Sequence, residues 1–352
     1  MTEENYLRSL EGELQILKEA ERNDILRDFR EYFASGRAEG KTDESIVESL
    51  GTAKELAVEL LKAYSEEEFI TNVEVKPTII NSFSKVDIES EMADLIILPS
   101  EDDKAYVNVK DQDGKTTATM DVIGDTLKIR VMREGIVRKF LFFRIIVNLN
   151  LSSNVRVTIQ LPQKLYDQLI IRNDCGAIEM TSQQAKLIQP ETDNGRIHLK
   201  SVLAERMVAE TDNGRIIIED SNFTTASVST DNGRIVVNKS RAKKFDLSTD
   251  NDRIELDDVS GEIIASTDNG RIDGYLPTVT SPLLWKTDNG SITLKTDEPL
   301  TDAKLNLKTD MGRIDVYGES GKKFQFGNGT VPIRLKTDMG SITVKVAELE
   351  KV

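Results

Sequence analysis

Cysteine and histidine are almost missing from this chain: Cys175 and His198 are the single examples in 352 residues. One cysteine excludes an internal disulfide framework and a multi-cysteine zinc site, and one histidine excludes a multi-histidine metal centre. Positive charge is also in deficit, with 46 Lys and Arg against 61 Asp and Glu and a formal net charge of -15. A dedicated nucleic-acid binder would carry a basic footprint instead. No apolar run reaches the roughly 18 residues of a membrane-spanning helix; the longest, Phe140 to Val147, is interrupted by Arg144. The opening residues Met1-Thr2-Glu3-Glu4-Asn5 lack the basic and apolar regions of a signal peptide. These absences point to a soluble protein, cytoplasmic or peripheral at the membrane, which would reach the cell surface only by export without a signal peptide.

What is present begins with helix. Tyr6, Leu7, Leu10, Leu14 and Leu17 make one apolar stripe at i, i+3/i+4 spacing, and Ile25, Leu26, Phe29, Tyr32 and Phe33 make a second. Gly40 suits a left-handed stop. Thr42 suits the next start, and Thr52 with Glu55 three residues on reads as a capping box. Leu56, Ala57, Leu60, Leu61 and Tyr64 complete a last helix. Residues 1–68 hold 18 acidic and 9 basic side chains, a net of -9. That charge is either a solvated surface or a docking face for a basic partner.

The remainder is a repeat, which decides the fold. Thr-Asp-Asn-Gly-Arg-Ile begins at Thr192, Thr211, Thr230 and Thr267, with variants at Thr249, Thr287, Thr309 and Thr337 and a degenerate copy at Asn173. Successive copies are mostly 19 residues apart. Alternating runs flank each copy, such as Ile216/Ile218 after it and Met207/Ala209 before it, as half-buried strands require. An antiparallel meander could use Asn-Gly as hairpin turns. A solenoid stacking each copy on the last makes matching residues neighbours, and so explains why Thr, Asp, Asn and Arg recur as outward-facing columns. The expected fold is therefore mainly β, a right-handed parallel β-solenoid of about 19-residue two-strand coils, preceded by a small all-α domain. The expected divisions are 1–67 helical, 68–76 linker, 77–168 irregular β capping the solenoid, 169–347 the repeat array and 348–352 a tail.

Two resemblances follow from these residues. Leu7-(x)2-Leu10, Asp24-Ile25-Leu26-Arg27-Asp28-Phe29-(x)2-Tyr32-Phe33, Gly36-(x)3-Gly40-Lys41 and Ile46-(x)3-Leu50-Gly51-(x)4-Leu56-Ala57 resemble a HAAS-type helical domain. Val155 to Pro162, Tyr166-Asp167-(x)-Leu169-Ile170-Ile171 and the serial Thr-Asp-Asn-Gly copies resemble the DUF4097 family of β-strand-repeat candidate adhesins. The order of the two is similar to LiaX-type envelope-stress proteins of Gram-positive bacteria. The resemblance implies a role at the cell envelope in the response to membrane-active antimicrobials.

Two constellations are candidate sites. Arg196, Arg215, Arg234, Arg253, Arg271 and Arg313 form a column that could read a polyanion by forked contacts to phosphate. In the bland reading the column is a self-neutralising edge, with the Asp three residues earlier as counter-charge. Arg138, Lys139, Phe140, Phe142, Phe143 and Arg144 combine basic and apolar character, as membrane-surface contact requires; otherwise these phenylalanines cap the first coil. His198 reads as a surface strand residue and Trp285 as packing. No metal, cofactor or catalytic set is expected. The functional expectation is a non-enzymatic envelope-associated protein that senses or regulates envelope stress by binding an anionic membrane or envelope surface. Its helical domain would engage a regulatory protein. The alternatives are a secreted adhesin binding glycans or host surfaces, a cytoplasmic protein-binding scaffold and, more remotely, a polysaccharide-cleaving enzyme.

Overall fold

A computed structural model describes residues 2–14, 19–38, 40–61, 73–78, 83–111, 116–133 and 155–347. The helical unit has four helices: α1 (Glu3–Glu13), α2 (Glu19–Ala38), α3 (Asp43–Leu50) and α4 (Ala53–Leu61). Their stripes meet in a core of Tyr6, Leu7, Leu10, Leu14, Ile25, Leu26, Phe33, Ile46, Ala53 and Ala57. Tyr32 departs from expectation, being 49% exposed, because it lies at the margin of the α2 stripe rather than at its centre. Gly36 is needed for packing: a Cβ there would sit 2.7 Å from Ile46 Cδ1. Gly40 has φ +84, and the Lys41 N–H donates to the Gly36 carbonyl at 3.0 Å, which closes α2. The capping box is present, with Thr52 N–H to Glu55 Oε2 and Glu55 N–H to Thr52 Oγ1 both 3.2 Å. Arg37 spans Asp43, at 2.8 Å, and Glu3, tying α2 to the starts of α3 and α1.

The second unit consists of two 13-stranded sheets. A coil enters one sheet as a long strand, such as Leu203–Thr211, turns through the Asp-Asn-Gly corner, and returns in the other sheet as a short strand, such as Ile216–Glu219. Consecutive coils pair in parallel at a shift of 19 residues, so Ile197 faces Ile216, Ile216 faces Ile235 and Ile235 faces Ile254. Ile178, Ile197, Ile216, Ile235, Ile254, Ile272, Ile292 and Ile342 all have 0% exposure. Each such side chain contributes about 1.5–3 kcal/mol by burial. The inward residues expected from the alternating runs, Trp285 included, are buried.

Thr is the exception to the outward-facing columns. Thr211, Thr230, Thr249 and Thr267 are buried, and their hydroxyls donate across to the preceding coil, to the carbonyls of Gly195, Gly214, Gly233 and Asp252 at 3.0, 3.1, 2.8 and 2.9 Å. A hydroxyl on the inner side of a corner is satisfied there without water. Glycine at the corner answers the same closeness. A Cβ on Gly233 would lie 1.7 Å from the Gly214 carbonyl oxygen. Asp252 alone interrupts this rule, and around it the Asp250 and Asn251 N–H groups share the Asp231 carbonyl, at 3.2 and 3.0 Å. The loops after five successive short strands are equally regular, with Ser182, Ser201, Asp220, Lys239 and Asp258 all at φ between 45 and 54.

Stacking does not follow chain order at either end. Strand Val331–Met339 lies between Leu283–Thr287 and Ala303–Met311, so the last copy, Thr337, stacks on Thr287, and the copy at Thr309 lies outside it. At the other end, Lys85–Met92 lies between Leu165–Cys175 and Thr126–Arg133. Val331–Met339 and Lys85–Met92 are thus both held on two sides, away from the edges of their sheet. The segment Tyr317 to Thr330 contributes Lys323–Phe326, which pairs antiparallel with Ala303–Met311 and covers that edge. Val73–Thr78, which overlaps the expected linker, is a strand of the short-strand sheet, and Leu169, the expected start of the array, lies within the strand Leu165–Cys175.

Two predictions follow. Gly233→Ala should cost about 1–3 kcal/mol through the clash with a neighbouring carbonyl, measured by urea unfolding; an unchanged midpoint would refute the contact. In the helical unit, Arg37 holds the Asp43 carboxyl below its usual 3.8, and Thr52 holds Glu55 below its usual 4.5. A depressed native pKa gives stability that is complete above the ordinary value and lost as pH falls through the native one. The helical far-UV signal should therefore weaken below about pH 4, and Arg37→Gln with Glu55→Ala should flatten that dependence.

Candidate binding surface

The Asp-Asn-Gly corner projects its Asn outward into an amide ladder. Asn213, Asn232, Asn251, Asn269 and Asn289 each donate Nδ2 to Oδ1 of the Asn in the preceding coil, at 3.0, 2.9, 2.9, 3.1 and 2.9 Å. Sulfur ends the ladder on both sides. Asn194 Nδ2 lies 3.9 Å from Cys175 Sγ, and beyond Asn289 the position passes to Met339 and Met311, which pair with each other. Their exposures are 55% and 68%. The Asn-Met exchange in the signature thus marks the last two coils in space.

The arginines stand one corner residue further on, at the margin of the short-strand sheet. Their backbone carbonyls serve the stack, as where Arg215 O accepts from Ile197 N–H at 3.0 Å. Their side chains meet outward carboxylates of the strands. Arg196 pairs with Glu179, Arg234 and Arg253 with Glu255 at 3.6 and 2.6 Å, and Arg271 with Asp273 at 2.5 Å. The signature Asp is not the counter-charge expected. Asp288, Asp310 and Asp338 pair instead with Lys286, Lys308 and Lys336 on the long-strand sheet, at 2.9, 3.5 and 3.0 Å. Lys336 correspondingly holds the Asp338 carboxyl below the usual range. Arg215 and Arg313 are exposed and have no ion-pair partner among the described residues.

His198 is on the same outer face, with Nε2 2.9 Å from Glu219 Oε2, a contact that lowers the Glu219 pKa. The membrane-contact candidates Arg138, Lys139, Phe140, Phe142, Phe143 and Arg144 lie outside the described residues. Sequence reading missed the two coils where the corner arginine gives way to Ser291 and Ser341. In the chain these are separated by an arginine coil, and stacking makes them neighbours.

Corner geometry, repeat and ladder define a β-solenoid, preceded in the chain by a small helical unit. The chain belongs to the Toastrack DUF4097 family, which it matches over residues 83–345, and residues 5–59 match the HAAS family. No curated protein matches the chain. Similar solved structures include a candidate cell adhesion protein from Clostridium sporogenes ATCC 15579, 13% identical, covering 78% of this chain and 100% of that one, with TM-score 0.22. A candidate adhesin from Bacteroides fragilis NCTC 9343 is 14% identical over 79% and 98% of the two chains, with TM-score 0.36. A candidate lipid-binding protein from Parabacteroides distasonis ATCC 8503 is 16% identical over 79% and 96%, with TM-score 0.41. None of their printed functions transfers at that distance.

The ladder predicts a pH-dependent contrast. Asn232→Ala removes two exposed amide bonds and should cost about 1 kcal/mol. Asn232→Asp leaves a carboxylate facing Asn213 Oδ1 and should cost more at pH 7, the excess disappearing as the new carboxyl protonates below about pH 4. Thermal melts at the two pH values check it; equal losses at both would count against the ladder.

Proposed function

We propose that this is a non-enzymatic envelope-associated protein in which the solenoid engages an anionic membrane or envelope surface and the acidic helical unit engages a regulatory protein. The observation that supports this most is the unbroken spatial succession Arg196, Arg215, Arg234, Arg253 and Arg271. These five guanidinium groups stand on neighbouring coils along one sheet margin. Strand spacing of about 4.8 Å gives a linear charge density suited to phosphate-bearing surfaces. The carboxylates beside them keep the column folded in the absence of a partner, and they can be exchanged for phosphate, which guanidinium grips in the same forked geometry. The isoleucine columns are hydrocarbon from coil to coil and the buried Thr hydroxyls are engaged by carbonyls of adjacent coils, so the polar groups open to a ligand lie on the outer faces. In this reading occupancy of the solenoid is reported to a regulator through the helical unit, whose net charge of -9 over residues 1–68 suits a basic partner.

Co-sedimentation of the full chain with vesicles tests the reading. Binding should require anionic lipid, weaken with added salt, and fall at least about tenfold in Arg196→Gln/Arg215→Gln/Arg234→Gln and in Phe140→Ser/Phe142→Ser/Phe143→Ser. No binding to anionic or neutral vesicles would overturn the membrane mechanism. It would leave the protein-binding scaffold as the reading to pursue.

A further inference from the structure

The exchange of coil order at the C-terminal end builds a feature that the chain order conceals. Along the sequence, RIDGY (271–275), SITLK (291–295), RIDVY (313–317) and SITVK (341–345) alternate. In space the order is RIDGY, SITLK, SITVK, RIDVY, because Ile292–Thr296 pairs on one side with Ile272–Tyr275 and on the other with Ile342–Val346, and Ile314–Val316 closes the series. Alternation along each strand turns the odd-numbered residues of these segments outward. Two coils with the small side chains Ser291, Thr293, Ser341 and Thr343 therefore lie side by side. They form the floor of a notch between two matching walls, Arg271-Asp273-Tyr275 and Arg313-Asp315-Tyr317. A cavity of about 660 Å³ occupies the Arg313 side of this notch, against Tyr317, Ser341, Thr343 and Lys345.

Its chemistry differs from the rest of the array. Lys295 and Lys345 are directly paired across adjacent strands, both exposed, and neither has a carboxylate partner among the described residues. Like charges directly opposite each other destabilise a sheet, a cost that neighbouring coils offset in Arg271–Asp273 and Lys286–Asp288. Arg313 adds a third uncompensated cation, since Asp315 accepts from the Gly318 N–H at 3.0 Å. The walls are fixed in advance. Tyr275 donates its hydroxyl to Asp297 Oδ1 at 2.6 Å, and the Tyr317 hydroxyl accepts from the Leu300 N–H at 3.0 Å. The anchored Tyr317 ring, the Ser341 and Thr343 hydroxyls, Arg313 and Lys345 line the cavity, and Lys295 lies opposite Lys345 on the next strand.

We infer that this notch binds a phosphate ester of a sugar or polyol. The phosphate would sit between the Lys295 and Lys345 ammonium groups with Arg313 beside it. The hydroxyls of the ligand would meet Ser291, Thr293 and Thr343, and its carbon skeleton would lie against the tyrosine rings. Two lysines at strand spacing can share one phosphate as point charges, and rings held in place lose little freedom on binding. The site adjoins the extended arginine margin, whose last member Arg271 is one of its walls, and does not require a membrane, because it holds one headgroup-sized ligand.

Calorimetric titration of the full chain with glucose 6-phosphate, inorganic phosphate and glucose tests the assignment. Vesicles with and without phosphatidylglycerol serve as a separate arm. Glucose 6-phosphate should bind saturably with Kd tighter than about 1 mM, inorganic phosphate more weakly, and glucose not detectably. Lys295→Gln/Lys345→Gln should weaken binding at least about tenfold. Ser291→Arg/Ser341→Arg should do the same by filling the floor with the residue that six other coils carry at this corner, which the fold accommodates; melting temperatures of both variants check this. The serine-to-arginine variant adds positive charge, so it should keep its vesicle binding while losing the sugar phosphate. Sugar-phosphate affinity unchanged in both variants, or no better than that for inorganic phosphate, would overturn the notch. Vesicle binding without any soluble-ligand binding would also overturn it while leaving the surface reading intact.

Discussion

The whole array depends on how closely one corner can approach the next. Where Gly233 meets the Gly214 carbonyl there is no room for a Cβ, and the Thr230 hydroxyl closes the same gap by donating to that carbonyl at 3.1 Å. The two requirements reinforce each other. Glycine lets the coils come close enough for parallel pairing, and threonine satisfies a carbonyl that closeness has cut off from water. A buried acceptor left unpaired would cost about 1–3 kcal/mol, and the corner recurs along the array. The isoleucine column supplies more free energy through burial, but it would tolerate a looser stack. The corner fixes the spacing.

That spacing in turn determines what the surface can do. Groups at equivalent positions come to strand distance whether or not this is favourable, so every outward column must have its own solution. Asparagine stacks on itself, because its amide is both donor and acceptor and each copy serves the next. Arginine cannot do so. It borrows carboxylates from the neighbouring strand positions, as Arg253 and Arg234 do from Glu255. At Asp288, Asp310 and Asp338 the signature Asp is offset on the opposite face by lysines two residues earlier. Lys295 and Lys345, directly opposite each other, have no carboxylate offset among the described residues.

Much of this was legible in the sequence because a period of 19 residues makes every structural demand visible several times over. The alternating Ile216/Ile218 and Met207/Ala209 pairs identified the buried faces, and Thr52 with Glu55 identified a helix start at single-residue resolution. Thr211 and its equivalents were misassigned to the surface because a polar residue next to Asp and Asn reads as polar exterior. Only the neighbouring coil supplies the carbonyl that makes its burial favourable. The arginine partners were misassigned for a related reason: proximity along the chain favoured the Asp three residues away, whereas proximity across the sheet favoured Glu179, Glu255 and Asp273.

The spatial order of the end coils has no local signature at all. Spacings that lengthen towards the C-terminus show that something is inserted, but not that Val331–Met339 slips in beside Leu283–Thr287 ahead of a coil that precedes it in sequence. The consequence for stability is that the final strand cannot fray as an edge strand would, since it has a parallel partner on each side. Unzipping of that sheet must begin with Lys323–Phe326 and pass through Ala303–Met311 before it reaches Val331–Met339. The same insertion brings two serine coils together that the sequence keeps apart, so the device that secures the end of the array is also the one that opens a notch in its charged face.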